Sequence, residues 1–195
     1  MGCSLSKQST DNTDKIDKID KTKIKKYTFD LTPAFNNCLE NKLVQARVVD
    51  IYDGDTLICV FNVFDNYYLF HVRLAGIDTC EIQSKNEKCK ELAYKARKRM
   101  YQLITGSETK SQNDIDLKTS RKNVRAFLHL DVYLVNILCG KLDKYGRLLG
   151  WIFNESDYSK FKSNSYNNKL VIEKLAYEYS GDTKLSEDEQ LNLLY

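Results

Sequence analysis

The sequence predicts an α+β fold: a five-stranded twisted barrel with helices packed at its side. The order of its patterned segments carries this. Three β-rich segments follow one another across residues 43–77, an amphipathic helical segment occupies 84–104, and strand-like segments return at 124–153 before a last short helix. The chain of 195 residues is long enough for one ordinary domain and a tail, and its 42% hydrophobic residues supply a core.

In "LVQARVVDI" (43–51), Val44, Ala46 and Val48 share one face and polar Gln45 and Arg47 the other. "YDGD" (52–55) contains Asp-Gly, a hairpin signal. "TLICVFNVF" is the second strand, and a turn near Asp65 and Asn66 leads into "NYYLFHVRLAGI". There Leu69, His71 and Arg73 lie on one face and Phe70, Val72 and Leu74 on the other. Over 84–104, Ser84 and Glu87 form a capping-box pattern, and Leu92, Ala96, Met100 and Leu103 form an apolar stripe. Lys95, Arg97, Lys98 and Arg99 lie mostly outside that stripe, as a solvated face or, less commonly, a nucleic-acid contact.

Residues 105–123 read as an inserted polar loop, and "VRAFLHLDVYLVNILCG" (124–140) as one long alternating strand. "KLDKYG" turns the chain and "RLLGWIF" returns it. After a polar loop at 154–168, "KLVIEKLAYEY" reads as a short helix with Leu170, Val171 and Leu175 inward. The remaining residues add a helical turn or stay loose.

The net charge of +3 is too small to argue for nucleic-acid binding by itself, so a local patch has to do so. The six cysteines form no C-x-x-C pair, which leaves a zinc site unsupported. No run of about 18 apolar residues spans a bilayer. No apolar leader opens the chain, so reduced thiols inside a cell are the expectation.

The start "MGCSLS" matches the N-myristoylation pattern, with Gly2 as acceptor, Ser6 at the preferred position and Cys3 placed for palmitoylation. Residues 1–8 thus read as an acylation signal and 9–41 as a flexible polar linker, its lysines either solvated or touching anionic headgroups. A second acyl chain matters because one alone anchors only marginally. The expected location is the cytoplasmic face of a membrane, in a eukaryotic cell or one infected by a virus. The folded domain is expected over 42–195, with its core at 42–181.

The stretch "HVRLAGIDTCEI" (71–82) crowds Arg73, Asp78, Thr79 and Glu81 into nine positions. In an antiparallel meander the turn carrying Asp55 lies at the same end as Asp78, so the two carboxylates meet. Close carboxylates repel unless a cation separates them, and hard oxygen donors suit Ca²⁺ or Mg²⁺, with the Thr79 carbonyl as a third ligand. The same residues also suit a plain Asx turn and a helix N-cap. Arg73, with Arg147 from the far hairpin, can clamp a phosphodiester or pair with surface acids. Glu81 is then free to orient or deprotonate a water.

"DGDT", "RLAGIDTCE" and "DKYGRLLGWIF", in this order, resemble the staphylococcal nuclease (thermonuclease) family over residues 42–181. The resemblance implies an OB-fold barrel with about three packed helices. It also implies a monomer that hydrolyses DNA and RNA in a Ca²⁺-dependent way, leaving 3′-phosphate ends. Asp55 and Asp78 match the calcium carboxylates and Thr79 the carbonyl ligand. Arg73, Glu81 and Arg147 match the catalytic residues, Lys144 and Tyr145 those on the terminal phosphate, and Tyr177 and Tyr179 those lining the nucleotide pocket. Cys80 stands where the family often has proline. The competing readings are a catalytically idle module of this fold that binds nucleic acid or protein, and a membrane-tethered scaffold.

Overall fold

The computed structural model describes residues 38–107, 115–154 and 160–195. The acylation signal, with Gly2 and Cys3, and the linker up to residue 37 lie outside the described residues. The linker's expected last residues instead form a turn tied to the barrel: the Asn41 N–H donates to the Cys139 carbonyl at 2.8 Å.

Strands β1 (Leu43–Ile51), β2 (Thr56–Val63) and β3 (Asn66–Leu74) form the expected antiparallel meander. Strands β5 (Leu134–Leu142) and β6 (Leu148–Phe153) form a hairpin that closes the barrel. β5 pairs antiparallel with β1, and β6 pairs parallel with β3, in the order β1-β2-β3-β6-β5. This is the predicted OB-type barrel. A register shift between Val48 and Asp50 lets Ile51 point inward after Ala46 and Val48.

The barrel is filled by Val48, Leu57, Phe61, Val72, Ile137 and Ile152, all buried. Helix α1 (Glu87–Thr105) covers one end. Its predicted stripe of Leu92, Ala96, Met100 and Leu103 is buried as expected, each large side chain contributing about 1.5–3 kcal/mol. The cap differs from the prediction. Asn86, not Ser84, accepts from the Lys88 N–H, while Ser84 Oγ accepts from the Asn86 N–H and donates to Glu187 at 2.5 Å. Arg97 is also not on a solvated face: it is buried, and its guanidinium donates to the Thr119 carbonyl.

Residues 121–128 correct the long-strand reading. They form helix α2 (Arg121–Leu128), capped by Ser120, whose side chain accepts from the Asn123 N–H at 3.3 Å. Val124 and Leu128 are buried at helical i, i+4 spacing. Val124, Ala126, Leu128 and Leu130 also alternate, so the apolar pattern fits both periods and the cap decides.

Near the C-terminus, short helix α3 (Phe161–Asn164) precedes α4 (Tyr166–Ile172). The helix predicted through residue 179 stops at α4. Lys174 turns with φ 55°, and Tyr177–Glu178 becomes a short strand, β7, antiparallel to β4 (Ile77–Asp78). A last helix, α5 (Glu187–Leu194), begins with a capping box of Ser186 and Glu189.

Candidate active site

The β1–β2 turn and the end of β3 meet because Thr56 is the register partner of Arg73. The Leu74 N–H donates to the Asp55 carbonyl at 2.8 Å, which locks Asp55 beside the end of β3. Gly54 brings this turn onto α1: a Cβ there would sit 2.5 Å from the Ala96 Cβ. Its role is close approach rather than the left-handed geometry that an Asp-Gly hairpin signal implies. The left-handed pair lies at the next turn, at Phe64 (φ 53°) and Asp65 (φ 63°).

Arg73 is buried and joins the two carboxylates. Its Nη1 lies 2.7 Å from Asp55 Oδ2, and its Nη2 donates to Asp78 Oδ1. Asp55 Oδ2 also accepts from the Thr79 N–H and Oγ1, both at 3.1 Å, and Asp55 Oδ1 from Thr56 Oγ1 at 3.0 Å. Asp78 Oδ2 accepts from the Tyr177 hydroxyl at 2.6 Å, across the β4–β7 pair. The predicted meeting of Asp55 and Asp78 is therefore present. Thr79 touches Asp55 through its N–H and hydroxyl.

Burial pushes the Asp55 carboxyl well above its usual range, and the neighbouring Asp53 charge adds to this, with Arg73 as the main opposing influence. A desolvated carboxyl that shares one guanidinium with a second buried carboxylate is donor chemistry that a hard divalent cation suits. No set of three or more His, Cys, Asp or Glu side chains disposed around a metal occurs among the described residues, so a cation here needs a backbone carbonyl and water as well.

Lys184 extends the cluster. Its Nζ lies 3.1 Å from Asp78 Oδ1 and 2.7 Å from Glu81 Oε1. Partial burial opposes its charge, but the hydrogen bonds to Glu81 and Asp78 hold the ammonium above its ordinary value. Through this lysine, the exposed Glu81 is tied to the carboxylate pair.

On the β5–β6 turn, Asp143 Oδ1 accepts from the Tyr145 N–H (2.8 Å) and the Arg147 N–H (2.9 Å), while Arg147 Nε donates to Asp143 Oδ2 at 2.7 Å. Burial opposes charge on Asp143, but these donors outweigh it and lower its carboxyl. The turn presents Arg147 and Lys144 against the Tyr145 ring, at 5.4 and 5.1 Å from its centroid. Arg73, Arg147, Lys144, Tyr145, Tyr179 and Lys184 line one cleft of about 500 Å³. Asp143 and Asp182 line it too, so its four cations outnumber its two acids and the cleft suits an anionic ligand.

Residues 71–194 match the family of staphylococcal nuclease homologues. The chain belongs to that family. No curated protein matches the sequence significantly. The family match takes in Arg73, Asp78, Thr79, Glu81, Lys144, Tyr145, Arg147, Tyr177 and Tyr179. It begins after β2, so Asp55 joins the group on geometry alone, and it runs past residue 181 to include α5.

Within this staphylococcal-nuclease-like domain, Tyr177 differs from the expectation. It is buried and holds Asp78 from below, and only Tyr179 of the two tyrosines lines the cleft. Burial, with the Asp78 hydrogen bond second, raises the Tyr177 hydroxyl well above its usual range, so it stays a donor. Cys80 points away from the cleft, into a cluster with Cys89, Leu92 and Ala93, and burial raises its thiol to about 12.

Sequence reading missed Lys184 and Asn167. Asn167 is buried; its Oδ1 accepts from the Ile152 N–H, and its Nδ2 donates to the Ala75 (2.8 Å) and Gly150 (3.1 Å) carbonyls. It thereby pins the turn that delivers Asp78. Both residues sit in polar stretches without periodicity, where no local signal marks them.

Proposed function

We propose that this domain is a calcium-dependent nuclease that hydrolyses phosphodiester bonds of DNA and RNA with low sequence specificity, leaving 3′-phosphate ends. The observation that carries it is the Asp55–Arg73–Asp78 cluster, which shares Arg73 with a cleft also lined by Arg147 and Lys144. Asp55, Asp78 and the Thr79 carbonyl would hold Ca²⁺, which when bound supplies Lewis-acid polarisation of a non-bridging phosphate oxygen.

The protein's own groups do the rest. Arg73 and Arg147 bind the phosphate and stabilise the charge that builds on it during attack. Glu81 orients a water and takes its proton as the water oxygen bonds to phosphorus and the P–O5′ bond breaks, the departing O5′ taking a proton from solvent to leave as the 5′-hydroxyl. Lys144 and Tyr145 hold the terminal phosphate, and Tyr179 offers a ring for a base. Because these groups address the backbone, binding is insensitive to sequence and falls steeply with salt. We further propose that acylated Gly2 and Cys3 carry the domain on the cytoplasmic face of a membrane; the sequence pattern at the N-terminus supports this.

A second reading has its own observation. Arg147 is bound to Asp143, Arg73 to both aspartates and Glu81 to Lys184, so each candidate catalytic group already has an internal partner. That pattern suits a catalytically idle binding module. Plasmid cleavage with Ca²⁺ or with chelator, followed by end-group analysis, separates the two. Calcium-dependent cleavage to 3′-phosphate ends is expected, with Glu81→Ala and Arg147→Ala each lowering the rate about 10²- to 10³-fold. Binding without cleavage, or cleavage indifferent to both substitutions, refutes the nuclease.

A further inference from the structure

Helix α2 lies on β1, away from the cleft residues, and its two arginines make more positive charge than their partner offsets. Arg121 and Arg125 are one helical turn apart and both converge on Asp50, which is buried at the end of β1. Arg121 donates from Nε (2.8 Å) and lies 2.6 Å away through Nη2; Arg125 donates from Nε (3.2 Å) and Nη2 (2.6 Å). All four contacts fall on Oδ2, and Oδ1 is buried without a partner. Here one carboxylate faces two guanidiniums, with the buried Arg97 close enough to feel Asp50, Asp53 and Arg121, so three arginines stand against two aspartates. The surplus positive charge reaches the surface, since the Arg121 and Arg125 side chains are 36% and 51% exposed.

Beside them stands Tyr52, half exposed, with the Arg121 guanidinium 4.3 Å from its ring centroid. An exposed ring next to surplus guanidinium charge is the pairing that single-stranded nucleic acid uses: phosphate on the cation, base on the ring. Tyr52 directly precedes the turn that holds Asp53, Gly54 and Asp55. In OB folds the β1–β2 loop is a place where oligonucleotides bind. Five residues separate Asp50 from Asp55, so the chain between them spans at most about 18 Å. That distance matches about five steps of a stacked strand at 3.4 Å each.

We propose that Tyr52, Arg121 and Arg125 form a second binding site for the nucleic-acid phosphodiester backbone, which holds the substrate strand beyond the cleavage point. The proposal rests on the nucleic-acid reading of the cleft for its direction, not for its existence. It makes α2 and the β1–β2 turn one continuous track with the cleft, and a strand longer than about five nucleotides is long enough to occupy both.

The test uses full-length protein in chelator, where no cleavage occurs, with fluorescent single-stranded DNA of 3 and 12 nucleotides titrated at several salt concentrations. Tyr52→Ala should weaken the 12-mer by about 5-fold or more and leave the 3-mer unchanged. Arg125→Gln should lower the 12-mer's salt slope by about 0.7, one phosphate contact, and Arg125→Lys should restore it. Tyr52 makes no contact with Asp50 among those described, so its variant remains informative if Arg125→Gln loosens α2. Arg147→Ala should weaken both lengths. If Arg147→Ala changes neither while Tyr52→Ala still weakens the 12-mer, the cleft reading fails and the second site stands. Equal losses for both lengths, or none in Tyr52→Ala and Arg125→Gln, overturn the second site. So does a 12-mer that ignores Arg125→Gln while phosphatidylserine vesicles lose binding, which would make the patch a lipid contact.

Discussion

Tyr177 illustrates what a single residue does in this site. A hydroxyl at 2.6 Å from a buried carboxylate oxygen both satisfies that oxygen and fixes the carboxylate's orientation. A partner that orients a ligand group is worth about 10- to 100-fold in metal affinity. Tyr177→Phe is therefore expected to weaken calcium binding about 10-fold by titration calorimetry, and to cost about 1 kcal/mol in stability because Asp78 Oδ2 loses a donor. An unchanged affinity would show that Arg73 and Lys184 suffice to hold Asp78. Arg73, Asp78 and Glu81 were legible as a group because they sit within nine residues of one strand and its exit. Tyr177 was legible as an aromatic near the site, but not as a buried donor, since only the β4–β7 pairing places its hydroxyl.

Among the elements, the contact between the β1–β2 turn and α1 carries most of the positioning. Gly54 lets the turn lie against Ala96, and Asp55 sits one residue further on. Gly54→Ala is expected to destabilise the fold by about 1–3 kcal/mol through overpacking. Ala96→Gly in the same chain should return part of that loss, although a helix glycine alone costs about 1 kcal/mol. Urea denaturation of the four proteins in this cycle measures the coupling, and strictly additive effects would refute the contact as the cause. The strands β1, β2, β3 and β6 and helix α1 were readable because one period dominates each. Helix α2 and strand β7 were not: the apolar residues of α2 fit two periods, and two residues are too few for β7 to show any.

Over the whole molecule, the buried carboxylates are a liability at neutral pH. The folded state raises the Asp55 carboxyl above its ordinary 3.8, so the folded protein binds this proton more tightly than the unfolded chain. That contribution to stability is present below 3.8 and is lost as pH rises through the raised folded value. Calcium should restore it, more strongly at neutral pH than in acid. A thermal melt in saturating calcium, at about 100 times the dissociation constant, is expected to show about 2.7 kcal/mol of stabilisation, absent in Asp55→Asn. Two carboxylates and a carbonyl make a weak site, so the half-effect should fall near 10⁻⁴–10⁻³ M, well above resting cytosolic calcium. A half-effect at submicromolar calcium would rule out so weak a site.

Strands β1, β2, β3 and β6, the main helix and the chemical character of the site are legible along the chain, because periodicity and the spacing of charged residues along one strand are local properties. Only the tertiary structure decided that Asp55 and Asp78 share one guanidinium, that Lys184 bridges Asp78 to Glu81, that Tyr177 supports rather than stacks, and that α2 is a helix with surplus charge beside Tyr52. The Lys184 and Tyr177 contacts join residues about a hundred positions apart, which barrel closure and the β4–β7 pairing bring within hydrogen-bond reach, whereas α2 is settled by the cap of Ser120 and by its packing on β1.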